Sequence, residues 1–185
     1  MTSTTTVPTT ATHTTAATAP AAAHQPATAA HPTAEQVRKA IAKRSFCVIA
    51  TASEANRPHV AGVLYAEVDG DLYISTMLDS RKAKNLLANP RVSVTVPIRR
   101  IPFGPPSNVQ YATTAEVLDL DHPDVRRHAE AGRLKAITGH GELELDGGCF
   151  IRLAAPKVAN TYGIGMSLLK LIRDPLSAGG RVELS

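Results

Sequence analysis

Three hydroxyl side chains and two adjacent cations fall close together in the sequence, at Ser75, Thr76, Ser80, Arg81 and Lys82. Ser80 suits the N-cap of a helix, whose first turn also presents free backbone N–H groups. A guanidinium can hold phosphate oxygens bidentately, while an ammonium acts as a point charge, so adjacent Arg and Lys complement each other. The pattern predicts a binding site for a phosphate group.

A solvated helix face is the alternative interpretation of the same cations. Arg81, Lys82 and Lys84 form a charge run, and such runs usually face water. Taken alone, this segment is explained more often by solvation than by ligand binding. Cations near a helix N-terminus nevertheless oppose the helix macrodipole, so their position there favours a bound anion.

The other reactive side chains give weaker indications of chemistry. His59 and His140 each lie beside a turn, where surface or capping roles are more common than catalytic or ligand roles. Cys47 and Cys149 lie in apolar runs without CxxC spacing, so we expect buried free thiols. The histidines near the start of the chain are too widely spaced to predict a metal site.

Short helices are predicted at three places. The first covers residues 35–43, with Thr33 as its N-cap and Gln36 as the capping-box partner. The second covers residues 81–88, and the third begins at Pro123. The apolar faces of the second and third helices are predicted to be Ala83, Leu86 and Leu87, and Val125, Ala129 and Leu134.

The rest of the chain is dominated by strand patterns. Asp69-Gly70-Asp71 predicts a hairpin, and a Pro/Gly-rich loop is predicted over residues 97–108. The stretch after Tyr162 is ambiguous, with helical turns indicated at residues 166–172 and a sheet edge at 181–184. The predicted strands cover residues 45–51, 59–68, 72–77, 92–96, 109–118, the second half of 142–153, and 158–162. Short strands at this spacing indicate a small barrel.

The first 33 residues differ in composition from the rest. They are nearly all Thr, Ala and Pro, and cannot bury enough apolar surface to offset the entropy of ordering. We therefore expect a disordered tail over residues 1–33 and one domain over residues 34–185. No secretory signal or membrane-spanning segment is recognisable, so a soluble, cytoplasmic protein without a membrane partner is expected.

The net charge of +4 indicates an anionic partner. The basic residues are scattered through core-forming segments, and the chain contains no Trp for base stacking. Nucleic acid is therefore not expected as a partner, and a small phosphorylated or carboxylated ligand fits better.

One segment carries a family resemblance. Residues 71–97, DLYISTMLDSRKAKNLLANPRVSVTVP, resemble the pyridoxamine 5'-phosphate oxidase-like superfamily of FMN-binding split barrels. The matching parts, in the same order, are Ser75-Thr76, Ser80-Arg81-Lys82 and Asn89-Pro90-Arg91-Val92. The resemblance implies a mainly β fold with short helices, a split β-barrel, and a homodimer. It also makes phosphate binding the preferred interpretation of the two cations.

The resemblance further implies where a flavin would lie. The ring would lie against the strand Val60-Ala61-Gly62-Val63, and the phosphate would bind Ser75, Thr76, Ser80, Arg81 and Lys82. Asn108 corresponds to an amide that reaches the ring across the dimer interface. For Gly62, a simple bend in the barrel is an equal alternative to close approach of a ring.

The implied function is an oxidoreductase that uses FMN or a deazaflavin coenzyme of the F-420 type to transfer hydride to a small organic substrate. The alternatives are a non-catalytic flavin or deazaflavin carrier or sensor, and a haem-binding split barrel. The Arg- and Trp-bearing end that pyridoxamine 5'-phosphate oxidases use to hold substrate has no counterpart here. Formation of pyridoxal phosphate is therefore not expected.

Overall fold

The computed structural model describes residues 32–98 and 104–184. Almost all of the predicted tail, and residues 99–103 of the predicted loop, lie outside these ranges, so the domain boundary stays a prediction. The helices of the described part are α1 (Ala34–Ala42), α2 (Arg81–Ala88), α3 (Pro123–Glu130) and α4 (Leu168–Arg173). Its strands are β1 (Phe46–Ala52), β2 (Pro58–Leu64), β3 (Ala66–Val68), β4 (Asp71–Met77), β5 (Arg91–Ile98), β6 (Ser107–Asp119), β7 (Gly148–Leu153), β8 (Val158–Tyr162) and β9 (Gly179–Glu183).

The strands form one antiparallel sheet in the order β2-β1-β5-β6-β7-β4-β3, with β8 pairing both β6 and β9. The long strand β6 pairs with β5 and β8 near its start and with β7 near its end, so the sheet curls around its core. Strands β2 and β3 lie at the two ends of this order although they are consecutive in the chain. The expected mainly β, split-barrel fold with short helices is confirmed.

The helix α1 begins as the sequence predicts. Thr33 Oγ1 accepts a hydrogen bond from the Gln36 N–H at 3.2 Å, and Gln36 Oε1 accepts from the Thr33 N–H at 3.0 Å. This reciprocal capping box satisfies two N–H groups of the first turn. Val37 and Ile41, on the buried side of α1, then join the core of the barrel.

The single strand predicted over residues 59–68 is wrong, because the chain breaks into β2 and β3 at Tyr65. The hydroxyl of this fully buried residue donates to the carbonyl of Ile41 at 2.6 Å, and its N–H donates to the carbonyl of Ser45 at 2.8 Å. β2 pairs with β1, whereas β3 pairs with β4. Tyr65 is therefore the corner between the two halves of the sheet, and sequence periodicity does not distinguish such a corner from a continuous strand.

The predicted apolar face of α2 is wrong at Leu87. Ala83 and Leu86 are buried as predicted, but the Leu87 side chain is 61% exposed. Asn85 is buried in its place, and its Nδ2 donates to Thr51 Oγ1 at 3.0 Å. Burying the Asn85 amide costs little free energy because it has a hydrogen-bond partner on β1. The helix can therefore face Asn85 inward and Leu87 outward.

Three boundaries also differ from the prediction. Leu134 is buried but lies beyond α3, after a turn at Gly132, whose φ of 70° favours glycine. The loop predicted over residues 97–108 is shorter, because Pro97 pairs with Asn108 and Ile98 with Ser107. The sheet edge predicted at residues 181–184 is β9, which pairs with β8 and begins at Gly179.

Both cysteines are buried free thiols, as expected. Burial raises the pKa of the Cys47 thiol to about 12, so it stays protonated and unreactive at neutral pH. Within residues 32–98 and 104–184, no helix combines the length and the apolar character that crossing a membrane requires.

Candidate functional site

A cavity of about 370 Å³ opens beside the edge of β2. Gly62, Val63 and Leu64 of β2 form one wall. Ser75, near the end of β4, and Lys82, in the first turn of α2, form a second wall. The cavity thus lies at the split of the barrel, between β2 at one end of the sheet order and β4 next to the other end, and these two strands do not pair.

The backbone of β2 has an open edge at this place. In the described part of the chain β2 pairs only with β1. The Tyr65 N–H points to β1, and backbone direction alternates along an antiparallel strand. Gly62 and Leu64 therefore direct their N–H and C=O groups away from β1. These groups can hydrogen-bond a planar ligand in the cavity.

Gly62 lies in a regular part of β2, opposite Val48, and the bend of the chain falls three residues later at Tyr65. A Cβ atom at Gly62 would lie 3.0 Å from two ring atoms of Phe46. The Phe46 ring therefore occupies space that a side chain at position 62 would take. The bend in the chain does not fall at Gly62, and the predicted contact of Gly62 with a bound ring stays a prediction.

The start of α2 is capped as predicted. Ser80 Oγ accepts from the Ala83 N–H at 3.4 Å, and Thr76 Oγ1 donates to Ser80 Oγ at 3.4 Å. Helix geometry leaves the N–H groups of Arg81 and Lys82 without an intrahelical acceptor. The Ser80 hydroxyl is therefore used as the helix cap. The donors available to a ligand at this end of α2 are the N–H groups of Arg81 and Lys82 and the Lys82 ammonium.

The predicted cofactor residues divide into three groups. Gly62, Val63, Ser75 and Lys82 line the cavity together. Val60 and Ala61 continue β2 away from it, and Thr76, Ser80 and Arg81 adjoin it at the β4–α2 connection. Asn108 lies elsewhere, in β6 opposite Pro97 and Tyr162. The roles of all ten residues in binding stay predictions.

A third wall of the cavity was not predicted. Lys135, His140 and Glu142, between α3 and β7, line it together with the backbone around Gly139. Glu142 Oε2 accepts from the His140 N–H at 2.8 Å, and this hydrogen bond lowers the pKa of the Glu142 carboxyl. The glycines flanking His140 signal a turn in the sequence, but only the packing of α3 and β7 brings that turn to β2.

The cavity carries a positive electrostatic bias. Lys82 and Lys135 reach it from different elements, and neither takes part in an ion pair between described residues. The single carboxylate, Glu142, is already held by the His140 backbone. Two lysines and one carboxylate leave the charged lining with an excess of positive charge, which an anionic ligand would offset.

A larger cavity of about 540 Å³ lies between α1 and the β3–β4 hairpin, and both of its arginines have partners within the protein. Arg133 binds both carboxylate oxygens of Asp69 at 2.7 Å, and Arg38 donates to the Leu184 carbonyl at 2.9 Å. The Arg133 guanidinium lowers the pKa of the Asp69 carboxyl. Across the described ranges, no cluster of three or more His, Cys, Asp or Glu side chains is placed to hold a metal ion.

Solved structures with this fold include the heme binding protein of Mycobacterium smegmatis, at a TM-score of 0.61 and 19% identity, with 72% of this chain and 55% of that protein covered. The heme storage protein HutZ of Vibrio cholerae has a TM-score of 0.58 and 19% identity, with 71% of this chain and 93% of that protein covered. A FAD-binding protein of Mesorhizobium loti has a TM-score of 0.54 and 24% identity, with 69% of this chain and 92% of that protein covered. The chain thus spans about half of the first of these proteins. At these identities the likeness shows the fold alone.

No curated protein matches the sequence significantly. Residues 33–146 match the sequence model of the family described as pyridoxamine 5'-phosphate oxidase. The matched region is more than half of the chain, and it contains every residue that lines the cavity at the edge of β2. With the split-barrel topology, this match shows that the chain belongs to the pyridoxamine 5'-phosphate oxidase family.

Proposed function

We propose that the chain binds FMN or a deazaflavin coenzyme of the F-420 type in the cavity at β2, and that it is an oxidoreductase transferring hydride to a small organic substrate. One observation carries the proposal. Gly62, Val63, Ser75 and Lys82 come from three elements that are apart in the sequence, and they line one cavity. These are four of the residues that the family resemblance of the sequence implies as cofactor-binding.

The residues present suit both ends of such a cofactor. The Lys82 ammonium, the Ser75 hydroxyl and the N–H groups at the start of α2 are donors for a phosphate, and Arg81 adjoins them. The outward backbone groups of Gly62 and Leu64 alternate donors and acceptors, as the polar edge of a flavin-type ring requires. A volume of about 370 Å³ lies within the ordinary range for small-molecule sites.

The cofactor would supply the hydride chemistry, and the residues of this chain would bind and orient it. Lys82 and the α2 N-terminus would fix the phosphate end, and the β2 edge would fix the plane of the ring. Substrate would approach from the open side, near His140. The chain does not need an acid–nucleophile triad for this class of reaction.

The proposal includes a homodimer formed through the outer face of the sheet. Phe46, Val60 and Leu64 expose large apolar side chains on this face, next to Gly62. Asn108 points to the same face from β6. Burying these side chains against a second copy would remove apolar surface from water and would bring the partner subunit's Asn108 towards the flavin site.

The first experiment is the visible spectrum of the protein purified from its native host, followed by titration with FMN and with the deazaflavin coenzyme. We expect a stoichiometric complex with one of them, and faster reduction or oxidation of that coenzyme in the presence of an acceptor. A colourless protein that binds neither coenzyme would refute the proposal. Tight binding without turnover against any acceptor would favour the carrier or sensor alternative.

Haem binding is the second candidate, and His140 is the observation that favours it. This histidine is exposed and lines the cavity, so its imidazole is available as an iron ligand. Reconstitution with hemin would give a Soret band, and that band would shift in His140→Ala. The same titration in FMN-loaded protein would show whether the two ligands compete for one cavity.

A further inference from the structure

The C-terminal helix exposes an unusual amount of apolar surface. Leu169, Ile172 and Leu176 are 57%, 60% and 93% exposed, and we call these three side chains the α4 patch. The opposite side of the same segment is anchored, because Leu171 packs with Met166, Ala178 and Tyr162. The α4 patch, with Leu169 and Ile172 on α4 and Leu176 in the 3-10 turn that follows, is thus anchored on the surface beside Lys170 and Arg173 of the same helix.

A second apolar surface lies on the outer side of α2. A groove of about 560 Å³ is lined by Met77, Leu78, Asp79, Lys84, Leu87 and Gly147, and we call it the α2 groove. Leu78 and Leu87 are exposed within it. Leu87 is the residue that the helical pattern assigns to the core, and it contributes instead to a surface with no cover in the described part of the chain.

The charges around the two surfaces are opposite in sign. The α4 patch carries Lys170 and Arg173, and the one carboxylate beside them, Asp174, accepts from the Ser177 N–H. The α2 groove contains Asp79. The turn that leads into it adds Glu144 and Asp146, both exposed, and the only cation lining the groove is Lys84. Lys84 balances Asp79 in the groove lining, so Glu144 and Asp146 beside the groove are the acidic counterparts of Lys170 and Arg173.

The two surfaces lie at opposite ends of β6. Tyr162, which packs against α4, pairs with Asn108 at the start of β6. Cys149, two residues after the groove residue Gly147, pairs with Asp119 at the end of β6. A two-fold axis that reverses the direction of β6 between two copies would therefore place each α4 patch at the partner's α2 groove. Both contacts then form at once, and the assembly is closed.

We infer that the α4 patch is an interface element that binds the α2 groove of a second copy of this chain. The inference rests on the proposed homodimer and adds a contact to it outside the sheet face. Because α2 also carries Lys82, the contact would attach the partner subunit to the helix that holds the phosphate end of the cofactor. Subunit association and cofactor binding would then stabilise each other.

The test measures the dimer dissociation constant of the full chain by sedimentation velocity over a concentration series. Ile172→Asp in the α4 patch and Leu87→Asp in the α2 groove are both at exposed positions, so the fold should tolerate them. Each should raise the dissociation constant at least tenfold. Ala55→Asp, in an exposed turn away from both surfaces, is the matched control and should leave it unchanged.

Two combinations make the test specific for this pair of surfaces. An equimolar mixture of Ile172→Asp and Leu87→Asp retains one intact patch–groove contact per heterodimer, so the mixture should associate more tightly than either variant alone. Lys170→Glu with Arg173→Glu should weaken the dimer, and adding Glu144→Lys with Asp146→Lys should restore it. Simple loss of folding would not produce either recovery.

Three outcomes would overturn the inference. If both Asp variants dimerise like Ala55→Asp while Leu64→Asp on the sheet face gives monomers, the homodimer stands and the α4 contact is wrong. If the wild-type chain is monomeric at all concentrations, the proposed homodimer and the α4 contact are both wrong. If that monomer floats with phosphatidylglycerol vesicles and Ile172→Asp does not, the α4 patch binds anionic lipid instead.

Discussion

The side-chain amide of Asn85 donates a 3.0 Å hydrogen bond to Thr51 Oγ1, and both residues are buried. This bond joins α2 to β1 beneath the sheet. Ala83 and Leu86 are buried on the same side of α2, while Lys82 faces the cavity at β2 and Leu87 faces solvent. The orientation of the helix thus includes a polar contact inside the barrel.

Asn85→Ala should lower the free energy of unfolding by about 1–3 kcal/mol, because a buried hydroxyl loses its partner and a small cavity remains. Urea denaturation measures the change. In a double-mutant cycle with Thr51→Val, the two effects should be clearly less than additive. Additive effects would mean that the two side chains do not stabilise each other.

Lys82→Ala should weaken FMN binding by about 1.5–3 kcal/mol, which is roughly 10- to 100-fold, because a charged hydrogen bond to the phosphate is lost. Arg81→Ala should have a smaller effect, since Arg81 adjoins the cavity without lining it. Lys43→Ala, at an exposed lysine at the end of α1 that lines neither this cavity nor the α2 groove, is the control.

Riboflavin provides the second control for Lys82, because it has the ring but no phosphate. Isothermal titration should show equal riboflavin affinity for the wild-type chain and Lys82→Ala. A parallel loss of riboflavin binding would place Lys82 at the ring or in the fold of the cavity, and would contradict the phosphate assignment.

Gly62→Val should destabilise the protein by about 1–3 kcal/mol, because its side chain would overlap the Phe46 ring. Phe46→Ala in the Gly62→Val background should recover part of that loss, as measured by thermal or urea unfolding. If Phe46→Ala makes the variant less stable still, the overlap lies elsewhere.

The free energy of unfolding should fall in mild acid because of His128. Burial and the nearby Arg127 and Arg133 lower the pKa of His128 below its ordinary value near 6.5, and its ring contacts Tyr73 edge-on at 5.4 Å between centroids. The unfolded chain therefore takes up a proton more readily than the folded chain does. The stabilisation from neutral His128 is complete above about pH 6.5 and is lost as the pH falls below that value.

His128→Phe isolates this contribution because it keeps an aromatic ring and removes the titrating group. Unfolding free energies measured at pH 7.5 and pH 5.0 should differ less in His128→Phe than in the wild-type chain. Carboxylates titrate in both proteins, so the comparison cancels their effect. Equal pH dependence in the two proteins would show that His128 accepts a proton in the folded state without cost.

Features with a local physical cause could be predicted from the sequence. The capping box at Thr33, the Ser80 cap, the hairpin at Asp69-Gly70 and the alternation in β5 depend on residues within a few positions of one another. The cluster from Ser75 to Lys82 indicated an anion site for the same reason. The helix cap, the hydroxyl groups and the two cations of this cluster all lie within eight consecutive residues, so they must be close in space.

Features that depend on partners far away in the chain could not be predicted from the sequence. Tyr65 ends β2 because its hydroxyl finds the Ile41 carbonyl, and Asn85 is buried because Thr51 lies opposite it. Lys135, His140 and Glu142 lie more than seventy residues after Gly62 along the chain, and they reach the cavity only through the packing of α3 and β7. Hydrophobic periodicity shows which face of an element turns inward, but not which polar group will find a partner there. That choice is made where separate segments meet, and at the split of this barrel it sets the walls of the site.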